Sequence, residues 1–292
     1  MSTALEFRGV DILFPVHGGT ARRNRGALQQ ALAALDAGGT RQEISTRTGI
    51  LVGVANANLK IEQGKICVLM GLSGSGKSTL LRAANGLTPV TRGQVLVHDG
   101  AGLVDIAGCN KATLRRVRRV RIAMVFQQFG LLPWRTVREN VGFGLELRNE
   151  SRDERRRVVE EQLAVVGLSD WADKHCHELS GGMLQRVGLA RALATSADIL
   201  LMDEPFSALD PLIRRKLQDE LVGLQERVRK TIVFVSHDLD EALRLGDTIS
   251  ILEGGRIVQS GSAQDILERP ATPYVAEFVR HLNPNTVLKG VS

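Results

Sequence analysis

The strongest chemical signal is a run of nine residues, Gly71-Leu72-Ser73-Gly74-Ser75-Gly76-Lys77-Ser78-Thr79. Its spacing is G-x-x-x-x-G-K-[ST], and it falls between an apolar run, Ile66 to Met70, and a helical pattern, Leu80 to Asn85, the setting a phosphate-binding loop needs. Glycines let successive backbone N–H groups curl around phosphate oxygens, and the following helix contributes its positive N-terminal end. Lys77 has the reach for β and γ phosphates, and the Ser78 hydroxyl suits Mg²⁺. A dinucleotide-binding turn would space its glycines G-x-G-x-x-G, whereas these run G-x-x-G-x-G. Downstream, Ile199-Leu200-Leu201-Met202-Asp203-Glu204 ends an apolar strand pattern on two acids. Asp203 stands where a Walker-B aspartate holds Mg²⁺, and Glu204 is placed to orient or deprotonate an attacking water.

Such residues need strands to deliver them and helices to cover the strands. From Ile50 onward, short β-branched runs alternate with longer helical patterns, which predicts parallel strands joined by helical crossovers. The strand candidates are Ile66 to Met70, Ile122 to Phe126, Ile199 to Met202, Ile232 to Val235 and Ile249 to Leu252. Leu5 to Phe14 reads as a first strand. An insertion over about residues 16–48 follows it, and Arg22 to Thr48 reads as a helical arm in which Ala27 to Leu35 is helical and stops at Gly38 and Gly39. The block over about 135–195 is mainly helical, with Arg152 to Val166 amphipathic, and predicts a helical subdomain set into the α/β core. Tyr274 to Leu282 predicts one more helix. No internal repeat or low-complexity tract is visible.

Composition excludes several classes. The chain has 292 residues, 43% hydrophobic and 24% charged, enough to bury a large core. Its apolar runs are far shorter than the roughly 18 to 20 residues needed to span a bilayer. The N-terminus has no basic stretch ahead of an apolar core, so the expectation is a protein that stays in the cytoplasm. Cys67, Cys109 and Cys176 are odd in number and lack metal-ligand spacing, which predicts reduced thiols. A net charge of +6 permits anionic partners without choosing among them. The densest basic run, Arg115, Arg116, Arg118, Arg119 and Arg121, reads first as a solvated helix face leading into a strand, with contact to a phosphate lipid or an acidic partner as the alternative.

Leu179-Ser180-Gly181-Gly182-Met183 narrows the class. Ser180 is a good N-cap, and the glycines leave backbone N–H groups open at the start of a helix running to Ala194, a second phosphate-binding end. Four further segments follow: Val125-Phe126-Gln127-Gln128, Asp203-Glu204, Ser207-Ala208-Leu209-Asp210 and Val235-Ser236-His237-Asp238. In this order they resemble the Q-loop, Walker B, D-loop and switch histidine of the ABC ATPases, and Leu179 to Met183 resembles that family's signature loop, usually written LSGGQ. The resemblance covers most of Ile50 to Gly261. It implies an α/β fold, a P-loop NTPase core with a mixed or parallel sheet, an N-terminal antiparallel β part and an inserted α-helical subdomain. The ATPase domain would span 1–270, with 271–292 a short C-terminal extension.

The same resemblance implies that two copies sandwich two ATP molecules, each between the phosphate loop of one subunit and the signature loop of the other. It assigns Lys77 and Ser180 to Gly182 to the γ-phosphate, and Ser78, Gln127 and Asp203 to Mg²⁺. Glu204 goes to the water, and His237 to the γ-phosphate and the base. ATP-binding residues are then Gly71 to Thr79, Ser180, Gly181, Gly182 and Asp210. The family's adenine-stacking aromatic is absent from Thr48 to Asn58, and Phe14, displaced by the insertion, is the candidate. The last signature position is Met183 rather than glutamine, a departure expected to be tolerated.

The arm, Val52 to Leu59, Met70 to Gly76, Phe126 to Arg135 and Asp210 to Ile213 resemble the quaternary-amine uptake branch of ABC importers. That implies an ATPase on the cytoplasmic face of the inner membrane, acting with integral-membrane permease subunits and, indirectly, a periplasmic substrate-binding protein. Choline is the first expected substrate, with glycine betaine and proline betaine next. Relatives in the branch often append paired regulatory domains; a chain ending at Ser292 is expected to lack them. The apolar stretch Phe129 to Trp134 is either core or a groove for a permease helix. A nucleic-acid-associated ABC ATPase is the rival reading. It is disfavoured because no long coiled coil or second ATPase unit is present, so no nucleic-acid partner is expected. An exporter ATPase and a small-molecule phosphotransferase are further alternatives.

Overall fold

The computed structural model describes residues 2–16 and 21–282. Parts of the expected arm, 17–20, and of the expected C-terminal extension, 283–292, lie outside the described residues. The elements run in the order β1 (Thr3–Pro15), α1 (Ala21–Asp36), α2 (Arg41–Thr48), β2 (Ile50–Glu62), β3 (Ile66–Met70), α3 (Lys77–Ala83), β4 (Arg92–His98), β5 (Leu103–Asp105), α4 (Lys111–Arg116) and β6 (Ile122–Val125). Then come α5 (Val137–Leu147), α6 (Arg152–Val165), α7 (Gly181–Ala194), β7 (Ile199–Asp203), α8 (Pro211–Val228), β8 (Thr231–Val235), α9 (Leu239–Leu245), β9 (Thr248–Glu253), β10 (Arg256–Gly261), α10 (Ala263–Glu268) and α11 (Pro273–Leu282).

Two sheets form. An antiparallel sheet has the order β2-β1-β4-β5, and a second has the order β10-β9-β3-β8-β7-β6. In the second, β9, β3, β8, β7 and β6 are parallel neighbours and β10 returns antiparallel to β9. This is the expected combination of a P-loop core and an antiparallel N-terminal part. Residues of a strand alternate faces, so a strand covered on both sides must be apolar throughout. Strand β3 obeys this: all five residues are buried, with Val68 and Met70 in one core and Cys67 and Leu69 in the other. Strand β7 divides in the same way, Leu200 and Met202 against Ile199 and Leu201. The first core joins the parallel sheet to the helices and includes Val141, Leu163, Val187 and, from α11, Val275 and Phe278. The second joins the parallel sheet to the antiparallel one and to α3 through Leu80 and Leu81.

The predicted strands are present with small shifts at their ends; β6 stops at Val125, one residue before Phe126. The helical block holds α5, α6 and α7. The arm holds α1 and α2, and a small third core seats it: Ala31, Leu35 and Ile44 pack on Leu13, Ile50, Val52 and Ala55. Thr40 and Glu43 close a capping box at the start of α2, and Gly49, at φ 66°, ends it. The arginine run forms the end of α4 and a single π-helical turn, Val117–Arg121, that feeds β6. Several of its charges are engaged within the fold: Arg116 with Asp99, Arg121 with Asp198, and Arg118 on the Asn85 carbonyl. The three cysteines are free thiols, and burial pushes Cys67 up to about 12. Among the described residues no helix is long and apolar enough to cross a membrane.

Candidate functional site

The chemistry-bearing residues converge at the C-terminal ends of β3, β6, β7 and β8, where parallel sheets generally place ligands. The loop from Gly71 to Gly76 leaves β3 and enters α3. At its two ends the backbone runs so close to its neighbours that only glycine fits. A Cβ on Gly71 (φ 139°) would lie 2.2 Å from the Leu252 carbonyl oxygen, and one on Gly76 (φ 103°) would lie 2.5 Å from the Gly53 carbonyl oxygen. Leu72, Ser73 and Gly74 are exposed on the outer side of the loop. Lys77 curls back over it, Nζ donating to the carbonyls of Gly71 at 2.8 Å and Leu72 at 3.0 Å. Burial lowers the Lys77 pKa, opposed by the nearby carboxylates of Glu204 and Asp203. Thr79 follows at the third position of α3 and is half-buried.

Asp203 ends β7 with its side chain fully buried, and a carboxylate there must be paired. The Ser78 hydroxyl donates to one oxygen at 2.7 Å and the Arg82 guanidinium to the other at 3.0 Å. Glu204, next along, has φ 49°, a conformation that turns the chain out of the sheet. Its carboxylate is thereby presented to two exposed residues from neighbouring strand ends. Gln127 Nε2 donates to Oε2 at 3.5 Å, and His237 Nδ1 lies 3.4 Å from the same oxygen. Lys77, Ser78, Asp203, Glu204, Gln127 and His237 are thus one constellation, with Gln127 bonded to Glu204 rather than to the Ser78–Asp203 pair.

The other expected site residues stand apart from it. Ser180 caps α7, accepting from Met183 N–H, and leaves Gly181 exposed. Asp210 caps α8, accepting from Ile213 N–H at 3.0 Å. Among the described residues no hydrogen bond or ion pair links Ser180, Gly181, Gly182 or Asp210 to the phosphate loop. Phe14 is half-buried on β1, its ring against Gly53 of β2.

Three contributors were not legible in the sequence. Gln185, buried in α7, donates to the Glu204 carbonyl at 3.0 Å and accepts from Ala208 N–H at 3.0 Å, tying the signature helix to the backbone after Asp203. Tyr274 of α11 accepts from Leu72 N–H at 3.4 Å. Arg41 of α2 reaches Gly74. Each acts across a long sequence separation, and no local spacing announces it.

Phe129 to Trp134 divides between the two expectations. Leu131 packs on the main core, whereas Trp134 is 71% exposed. The stretch is braced by Arg191, which donates to the Phe129 and Gly130 carbonyls, and by Asn140, which exchanges hydrogen bonds with Leu132. Trp134 borders a groove of about 510 Å³ between α5 and α6, lined also by Arg138, Glu139, Arg152 and Arg155.

Residues 54–207 match the family model for the ABC transporter. The chain is 53% identical over 259 residues to the glycine betaine/proline betaine transport system ATP-binding protein ProV of Escherichia coli (strain K12), aligning 89% of this chain with 64% of that one. It is 47% identical over 240 residues to the trimethylamine N-oxide transport system ATP-binding protein TmoW of Ruegeria pomeroyi, covering 82% and 69%. The chain spans a little under two thirds of the length of the betaine relatives it matches, 61–64%. Among solved structures it superposes on the dimeric bacterial ABC transporter cassette MJ0796 with a TM-score of 0.74 at 30% identity, covering 89% of this chain and 98% of that chain.

The switch segment gives a pH signature. Glu241, on α9 just after His237 in the chain, accepts from Ser236 Oγ at 2.6 Å and Gln218 Nε2 at 3.1 Å. Burial raises its pKa above the carboxylate value of 4.5, helped by Asp238 and opposed by the Ser236 hydrogen bond and Arg214. The folded chain therefore holds this proton more tightly than the unfolded one, and stability is lost as pH rises from 4.5 through the folded pKa. Glu241→Gln is expected to raise the melting temperature at neutral pH, with the gain shrinking as pH falls towards 4.5; parallel thermal melts across that range check it.

Proposed function

The chain belongs to the ABC transporter family, and from that premise we propose that it is the ATP-binding and hydrolysing subunit of an importer for quaternary amines. The carrying observation is the constellation at the strand ends: a phosphate loop with Lys77 over it, and beside it Glu204 between Gln127 and His237. Phosphoryl transfer to water needs positioning and charge stabilisation more than covalent chemistry. Lys77 and the loop amides hold the β and γ phosphates. Glu204 accepts the proton of the attacking water as its oxygen bonds to the γ-phosphorus and ADP leaves, and His237 and Gln127 keep that carboxylate and the γ-phosphate in register.

Ser78 Oγ and Asp203 Oδ1 are hard oxygen donors 2.7 Å apart beside the phosphate loop. Magnesium is held by one or two such groups together with substrate phosphates, so the pair fits it, with Gln127 as a third candidate. Bound there, the ion would neutralise charge on the β and γ oxygens.

The signature loop, which among the described residues shares no hydrogen bond or ion pair with its own chain's phosphate loop, supports a site completed by a second copy. Ser180 to Gly182 and Asp210 of one copy would meet the γ-phosphate held by the other, and MJ0796 is described as a dimer. Phe14 is the adenine platform in this reading. In this reading the groove beside exposed Trp134 would receive a helix of a separate permease, the subunit would act at the cytoplasmic face of the membrane, and a substrate-binding protein would act indirectly from the other side. Relatives named for glycine betaine, proline betaine, carnitine and trimethylamine N-oxide transport support a methylated ammonium or amine-oxide substrate. Those names favour testing glycine betaine ahead of choline.

Purified chain is expected to hydrolyse MgATP. Lys77→Ala should lose nucleotide binding, while Glu204→Gln should bind nucleotide and lose hydrolysis by about 10²–10⁴-fold, the usual contribution of general acid–base catalysis. Equal binding by Lys77→Ala and wild type would contradict the assignment. Trp134→Ala should leave basal hydrolysis unchanged and weaken its stimulation in vesicles carrying the cognate permease; full stimulation would remove the groove from the account.

A further inference from the structure

The arm between β1 and β2 plays no part in the roles assigned so far, yet one of its side chains ends on the phosphate loop. Arg41 opens α2. Its Nε donates to the Val52 carbonyl at 2.6 Å, one terminal nitrogen to the Gly74 carbonyl at 3.1 Å, and the other to the Gly53 carbonyl at 3.2 Å. A guanidinium presents five N–H donors in a rigid plane, so three carbonyls held at once fix its orientation and theirs.

Gly53 is where these contacts meet. Its carbonyl oxygen faces the phosphate loop, 2.5 Å from the place a Cβ on Gly76 would occupy and 2.9 Å from the place of one on Gly255. Its other side carries the Phe14 ring, whose Cε2 lies 2.7 Å from the place of a Cβ on Gly53 itself. One side chain thus joins the outer turn of the phosphate loop to the strand residue that seats Phe14. The platform behind Arg41 is firm, because Ile44, one turn on, is 1% exposed in the core that anchors the arm.

Charge points the same way. Among the described residues no carboxylate lies within ion-pair distance of Arg41, although it is half-buried. A cation removed from water and held only by carbonyls retains attraction for an anion, and Arg41 stands 3.1 Å from the Gly74 carbonyl of the loop proposed to bind phosphates.

We infer that Arg41 is a positioning residue for the nucleotide, holding the Gly74 turn and the Gly53 seat in register and adding one uncompensated positive charge at the phosphate loop, so that the inserted arm is part of the nucleotide site. This rests on the reading of the site as an ATP site.

Steady-state hydrolysis of MgATP by the full chain, with thermal melts in the absence of nucleotide, tests it. Arg41→Ala is expected to raise KM about tenfold with kcat within about twofold, the size of a lost charge-assisted hydrogen bond expressed in ground-state binding. Arg41→Lys should recover part of the loss, keeping the charge but not the three-way bridge. The nucleotide-free melting temperature should fall modestly in Arg41→Ala, which leaves three carbonyls without this donor, and less in Arg41→Lys. An unchanged KM in Arg41→Ala overturns the inference, as does a fall in melting temperature and kcat at constant KM, which would make Arg41 a residue of the fold alone. Failure of the underlying reading is distinct: wild type would then not bind MgATP, or Lys77→Ala would bind it equally well.

Discussion

The structure depends on a close approach of backbone to backbone around the phosphate loop. Leu252 and Gly53 bring carbonyl oxygens to within 2.2 and 2.5 Å of where side chains on Gly71 and Gly76 would begin, so only glycine serves at those positions. Gly255 completes the contact, its N–H donating to the Ser75 carbonyl and its carbonyl accepting from Ala55 N–H. The loop is therefore shaped by β2 and the β9–β10 turn as much as by its own sequence. That shape folds Lys77 back across the loop, its Nζ on the Gly71 and Leu72 carbonyls.

The buried carboxylate of Asp203 extends the same logic to the neighbouring strand. An ion with no exposure is tolerable only when its oxygens are matched, and Ser78 and Arg82, both on α3, match them. The helix that follows the phosphate loop is thus locked to the strand that delivers Glu204. With Gln185 holding the Glu204 carbonyl and Ala208, the signature helix joins the same framework.

Much of this was legible in the sequence because its signals are local. The phosphate-loop spacing, the apolar run into Asp203 and Glu204, and the cap at Ser180 each specify a short piece of backbone, and the strands that carry them alternate between two cores as their composition requires. What was not legible depends on the chain meeting itself at a distance. Arg41 sits in a stretch with ordinary helical composition, and only the arm's packing brings it to Gly74. Tyr274 belongs to a terminal helix that the main core draws in through Val275 and Phe278. Phe129 to Trp134 could be weighed as core or groove but not divided, since the division is set by Asn140 and Arg191 bracing the loop from two helices.

The central claim is that neither open end is a complete site: the phosphate loop of one copy and the signature loop of another close on one nucleotide. To move such a pair from mostly open to mostly closed, ATP must favour the closed form by about 10⁴-fold, roughly 5.5 kcal/mol, and contacts made only on closure can supply part of it. The most direct test is the mass of Glu204→Gln by light scattering with and without MgATP. The account predicts a monomer without nucleotide and a dimer with it. A monomer that binds MgATP tightly would contradict it, because the signature loop would then have no nucleotide to complete.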